Sequence, residues 1–359
     1  MVVTFLVGNG FDISCGLNTS YRSFYDWYLQ QPSSSDPIRE LKKSICNEYE
    51  NWADFEIGLA RYTRNFTIDT VDDFFEIYED ARNNIIKFIQ VQTENVDLNA
   101  ISDKQLLDFK NSLITFYAEL PPVERMEIDN SFRGQKIEYS FISFNYTFIL
   151  NEIVDKVSKI KPASEMINMA SSKSSFINPN VINLHGTLKQ FPIVGVTEDI
   201  YVPNKEILKA PFFRDLMIKP DSVDAVSQIW YEEAKKRIEE SNIICIFGMS
   251  LGNSDSMWWE RIMTHLSSSP KNHLIIFNYD DNPPSGTSIY KTLISNDDLK
   301  NRMIDYTALS SQDIPKIKRQ IHIIYNTKKV LQLSIPKKMV LPVSEELLKT
   351  PISKVKPLF

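Results

Sequence analysis

Cysteine is scarce. The 359 residues hold three, Cys15, Cys46 and Cys245, far apart and with no CxxC pair. That spacing excludes a cysteine-built zinc site. Free thiols without an export signal point to a reducing, cytoplasmic setting. Long apolar runs are missing too: none approaches the roughly 18 residues that a membrane-spanning helix needs. The apolar opening from Val2 to Val7 has no basic segment before it and runs into Gly8-Asn9-Gly10, so it reads as a buried strand rather than a signal peptide. Positive charge is not in excess: 40 Lys and Arg against 46 Asp and Glu give a net charge of −6. This argues against a broad phosphate-neutralising surface and hence against a nucleic-acid partner. No internal repeat is visible. What the chain does have is a 43% hydrophobic content with 24% charged residues, enough for a sizeable core and unlike a disordered composition.

Short apolar runs end, one after another, in residues able to do chemistry. Val2 to Val7 stops at Gly8-Asn9-Gly10, Ile142-Ser143-Phe144 at Asn145-Tyr146-Thr147, and Val181 to Leu184 at His185-Gly186. Ile243 to Phe247 stops at Gly248-Met249-Ser250, and Leu274 to Phe277 at Asn278; Ile321 to Tyr325 offers a late strand. Continuous apolar strands suit a mostly parallel sheet buried on both faces, and in open α/β sheets ligands bind beyond the carboxyl ends of the strands. Between the first two runs the pattern turns helical. Phe74, Ile77, Ala81, Ile85 and Phe88 recur at helical spacing, and Ser102 to Gln105 forms a capping box before Leu106, Phe109, Leu113 and Phe116. Pro121-Pro122 is expected to close that helix. A second amphipathic helix is expected from Ser222 to Glu240, and another starting near Asp255. Loops are expected at the serine clusters 33–35, 171–175 and 267–269. The chain thus divides into a core of residues 1–20 and 135–330, a helical insertion of 21–134, and a Lys- and Pro-rich tail of 331–359.

Several residues are candidates for a site. Gly8, Asn9 and Gly10 after the first strand would let a backbone approach a pyrophosphate, although Ile13 stands where a GxGxxG fingerprint needs its third glycine, and a plain tight turn explains the pair equally. Asn145 offers an acceptor and two donors at a strand end, or closes a turn. Of the four histidines, His265, His273 and His322 read as packed or surface residues. His185, with Gly186 beside it leaving space, reads as an acid–base group. Gly248-Met249-Ser250-Leu251-Gly252 matches the G-x-S-x-G elbow, with Asp280 and His322 following in the chain order of a hydrolase triad; the same turn also reads as a phosphate or ribose cradle. Trp52, Asp54 and Glu56 could line a pocket, but read more often as a helix start with acids near its positive end.

Together these segments resemble the AbiH family of bacterial abortive-infection, phage-defence proteins: Val7 to Asp12, Gly16 to Tyr21, Trp52 to Glu56, Phe144 to Thr147, His185-Gly186 and Gly248 to Asp255. The same pieces resemble sirtuin motifs in order. Gly8-Asn9-Gly10 with Gly16-Leu17 is similar to the GAG…GIPDFR loop, and Phe144 to Thr147 to the QNID segment. His185-Gly186 is similar to the HG pair, and Gly248 to Leu251 to the GTSL loop. Asn278 is similar to the Asn that contacts the adenosine ribose. The chain departs from that pattern at Thr147, where sirtuins carry an Asp for the nicotinamide amide, at Asn18 to Tyr21 in place of PDFR, and in lacking zinc cysteines.

The resemblance implies a sirtuin-like, Rossmann-type α/β fold that binds NAD and hydrolyses it to nicotinamide and ADP-ribose. His185, Asn145 and Asp12 would be the catalytic groups, Gly8, Asn9, Gly10, Gly248, Ser250, Leu251 and Asn278 the cofactor-binding ones, and no metal would be needed. A serine hydrolase using Ser250, Asp280 and His322, or a non-catalytic nucleotide-sensing scaffold, are the alternatives. The expected partners are a nucleotide, a second copy of the chain, and a phage trigger or partner protein, with no membrane.

Overall fold

The computed structural model describes residues 1–160, 175–189, 191–225, 229–284 and 288–338. Its centre is a six-stranded sheet of β1 (Val2–Val7), β2 (Glu138–Ser143), β3 (Phe176–Asn183), β4 (Ile243–Phe247), β5 (His273–Asn278) and β6 (Ile321–Tyr325). All strand pairs are parallel, and the order is β3-β2-β1-β4-β5-β6. This is the order of two mononucleotide-binding halves joined back to back, with the crevice at the β1/β4 reversal point. The fold is therefore α/β with an open, all-parallel sheet, and its six strands are the six apolar runs.

Side-chain alternation along each strand divides the core. In β4, Ile243, Cys245 and Phe247 face one layer while Ile244 and Ile246 face the other; Val3, Phe5 and Val7 of β1 share the first layer and Leu6 the second. Both layers are covered, which is why the strands are apolar on both faces. Pro179 lies within β3, where its missing N–H is tolerable because β3 is an edge strand.

The long first crossover is helical as expected. The helix Val71–Glu94 buries Phe74, Ile77, Ala81, Ile85 and Phe88, and Ser102 and Gln105 form the capping box of the helix Asp103–Ile114. The helices from Tyr21 to Glu94 make a cluster of their own with residues 194–218, whereas Leu106, Phe109 and Leu113 pack on the sheet.

Four expectations need correction. Pro121-Pro122 does not close the helix before it, which already ends at Ile114; Pro122 opens the helix Pro122–Phe132, where a missing N–H costs nothing. Ser267 and Ser268 belong to the helix Ser256–Ser268, each hydroxyl bonding back to a carbonyl one turn earlier. The helix expected over 222–240 is described as two, Lys219–Ala225 and Trp230–Glu240, with residues 226–228 between them outside the described residues. The tail does not begin at 331: Val330, Leu331, Leu333 and Ile335 are buried in the sheet's first layer. Residues 171–174 of the second serine cluster, and 339–359, lie outside the described residues. Among the described residues no helix is long and apolar enough to cross a membrane.

Candidate functional site

Beyond the carboxyl ends of β1 and β4 the two glycine turns rest against each other. Gly8 N donates to Phe247 O at 2.9 Å and Gly10 N to Gly248 O at 2.8 Å. A Cβ on Gly10 would stand 2.5 Å from Gly248 Cα, and Gly248 itself has φ +67°. The close approach that demands glycine here is turn against turn. Asn9 faces the next segment: its side chain accepts from Thr19 Oγ1 at 2.6 Å and donates to Thr19 O at 2.8 Å.

These turns floor a cavity of about 490 Å³ lined by β1, β2, β3 and β4 ends together with Asp54 and Glu56 of the helical insertion. That is a usual size for a small-molecule site. Three of the four strand-end motifs converge on it through buried polar groups. Asp12, on the short helix Gly10–Ser14, accepts from Thr147 Oγ1 at 2.9 Å through Oδ2. Burial pushes its carboxyl up to about 7, against the lowering effect of Thr147 and Asn145 beside it. Asn145 takes its backbone N–H to Ser143 Oγ and donates from Nδ2 to Gly8 O at 3.2 Å. His185 sits edge-on to Phe144, ring centroids 5.4 Å apart, with Nε2 3.1 Å from Asp255 Oδ1. Asp12 Oδ1, Asn145 Oδ1 and His185 Nε2 are buried and make no aligned hydrogen bond. Unsatisfied buried polar atoms are costly, and all three belong to residues lining one cavity.

The sequence reading offers Glu56 as a pocket-lining acid but misses the buried ion pairs that Lys219 makes behind the cavity lining. Lys219, with no exposed surface, lies 3.0 Å from Glu56 Oε2 and 2.9 Å from Asp255 Oδ1. Glu56 also receives Gly195 N–H at 3.2 Å, and the Tyr146 hydroxyl lies 3.2 Å from it. Burial alone would raise the Asp255 carboxyl and lower the Lys219 amine. Their mutual attraction, with His185 adding to the pull on Asp255, holds Asp255 well below the usual carboxylate range and Lys219 above its ordinary value. Burial pushes Glu56 up, opposed by Lys219. Asp54 does cap the helix Phe55–Tyr62, accepting from Glu56 N and Ile57 N, so the helix-start reading of that motif holds while Asp54 and Glu56 also line the cavity. Only Lys219 has no cue in the sequence.

Ser250 is exposed and Leu251, at φ +53°, is buried; both line the cavity. Asn278, at the end of β5, does not line it; its carbonyl accepts from Asn326 N. The hydrolase triad is not assembled. His322 lies within β6, with Nδ1 2.5 Å from Glu124 Oε2 and Nε2 3.1 Å from His273 Nδ1, and Asp280 Oδ1 accepts from Asn282 N. Among the described residues, no group of three or more His, Cys, Asp and Glu is arranged to hold a metal.

Fold and cavity define a doubly wound α/β protein with a polar-lined cavity at the strand-order reversal. The family model described as bacteriophage abortive infection AbiH matches residues 4–279, a span that contains every residue lining the cavity, and the chain belongs to the AbiH family. No curated protein matches the chain.

Proposed function

We propose that this abortive-infection protein binds NAD in the cavity and hydrolyses it to nicotinamide and ADP-ribose, through a core that is sirtuin-like. The observation that carries the reading is the convergence of three buried polar side chains, Asp12, Asn145 and His185, two of them with an oxygen that makes no hydrogen bond, at the strand-order reversal where dinucleotides bind. The cavity's charge supports it. Asp54, Glu56 and Asp255 line the cavity with Arg22, while Lys219 is fully buried against Glu56 and Asp255, so the lining is richer in acids than in bases and suits a cationic centre. Cleaving the ribose–nicotinamide bond creates one: the C–N electron pair leaves with nicotinamide, a neutral leaving group, and positive charge develops on the ribose. Water then forms the new C–O bond and surrenders a proton. Asn145 positions the ribose or that water, His185 takes the proton, and Asp12 is the third polar contact. The exposed Arg22 and Ser250 at the rim are placed for phosphate or ribose oxygens.

The test is NAD consumption and melting temperature on the same purified variants. Asn145→Ala and His185→Ala are expected to remain folded and to lose roughly 10²- to 10⁴-fold in rate, and the double variant to lose little more. Wild-type protein is expected to melt higher with NAD or ADP-ribose. Full turnover by folded His185→Ala, or neither stabilisation nor turnover with NAD, NADP or ADP-ribose, would overturn the reading.

A further inference from the structure

Asp255 is not needed to neutralise Lys219. Glu56, 3.0 Å away, already does that, and two carboxylates against one ammonium leave the buried cluster with an unanswered negative charge. The second carboxylate points its Oδ1 at both Lys219 Nζ and His185 Nε2. His185 is 5% exposed at its side chain, its ring clamped edge-on by Phe144 and tilted against Tyr146. A protonated imidazole is the charge that would complete the cluster.

We infer that Asp255 is the positioning residue for His185: it orients the imidazole toward the cavity and stabilises the imidazolium that forms when the ring takes a proton. Lys219 keeps that carboxylate in place and ionised, and Glu56 holds Lys219 from its other side. This rests on the proposed role of His185 and adds the group through which that role is exerted. The physical basis is general. A buried carboxylate beside an imidazole fixes its tautomer and lowers the energy of the charged ring. The ring N–H lies off the line to Oδ1 at 3.1 Å; such contacts tighten as the ring becomes charged. Asp255 touches no reacting atom in this scheme. Its side chain is 14% exposed, at the lining of the cavity.

Two measurements test it. The first is nuclear magnetic resonance of the imidazole nitrogens. The chain has four histidines, so His185 is assignable by His185→Gln. Asp255→Asn is expected to move the His185 nitrogen resonances and, in spectra taken at a pH where the ring is protonated, to remove a downfield, exchange-protected ring proton present in the wild-type protein. Unmoved resonances, or no such proton in the wild type, overturn the inference; the wild-type spectrum decides even if Asp255→Asn does not fold. The second is kinetic. Asp255→Asn is expected to lower kcat on NAD by roughly 10²-fold or more with KM little changed, and to cost nothing further in the His185→Ala background. Unchanged kcat in folded Asp255→Asn, or an added loss on top of His185→Ala, overturns it as well. If the wild-type protein turns over no NAD, the hydrolase reading fails by itself and the nitrogen resonances alone decide the placement of Asp255.

Discussion

Burial moves the Asp12 carboxyl from its ordinary 3.8 up to about 7, and this has a measurable sign. The folded protein holds that proton more tightly than the unfolded chain. The contribution to stability is therefore complete below about pH 4 and is lost as pH rises through 7. Between pH 5 and pH 8 the loss is roughly 2–3 kcal/mol for this one group. Asp12→Asn keeps the hydrogen-bonding shape without the titration. Its urea midpoint should therefore fall less than the wild type's over that interval. Equal slopes for the two proteins would show that Asp12 is not held protonated. Ser250 makes a second residue-scale case. With His322 committed to Glu124 and His273, Ser250→Ala should weaken nucleotide binding by on the order of 1 kcal/mol, and intact mass after fluorophosphonate treatment should stay unchanged. A covalent adduct on Ser250 would revive the hydrolase alternative. The positions of Asp12, Asn145 and His185 were legible because each follows an apolar run, and parallel strands align such ends. Lys219 was not, since a lysine between Ile218 and Pro220 looks like any surface residue until the fold buries it.

At the scale of elements, the strands read true because both-face burial writes itself as unbroken apolar runs. Helix ends read less well. A proline pair marks a boundary without saying whether it closes one helix or opens the next, and serines in a last helical turn look like loop. The glycine turns carry a different lesson. A GxG after a first strand suggests room for a phosphate, but here the Cβ of any other residue at position 10 would meet Gly248 Cα at 2.5 Å. Gly10→Ala is therefore expected to cost roughly 1–3 kcal/mol through forced displacement of the β4 turn, read as a lower urea midpoint whether or not nucleotide is present. An alanine variant as stable as the parent would mean that the two turns separate easily.

Across the whole molecule, the Lys219 cluster joins three regions: the helical insertion through Glu56, the β3–β4 crossover through Lys219, and the segment after β4 through Asp255. Removing one partner of a buried pair strands the others, at about 3–5 kcal/mol. Lys219→Ala should show that loss in equilibrium unfolding. Faster amide exchange in the helix Phe55–Tyr62 should accompany it, because that helix is tied to the core partly through Glu56. Wild-type exchange there in a destabilised Lys219→Ala protein would mean the insertion is anchored by its apolar contacts alone. This connectivity could not be read in advance, since its members are 219 − 56 = 163 and 255 − 219 = 36 residues apart and no periodicity links them.

The stretch from Val330 to Ile335 crosses back over the first crossover's helices. Leu331 N–H bonds Ser112 Oγ, Ile335 N–H bonds Cys15 O, and Val330, Leu331, Leu333 and Ile335 are at most 4% exposed. Ribosomes deliver a chain from its N-terminus at about 5–20 residues per second. The layer containing Phe116 and Leu113 therefore waits, incomplete, until residue 335 has been made. A nascent chain halted before residue 330 carries the full cavity sequence yet lacks four residues of the core beneath it, each contributing about 1.5–3 kcal/mol when buried. In a cell, translation must pass residue 335 before this protein acquires its finished fold.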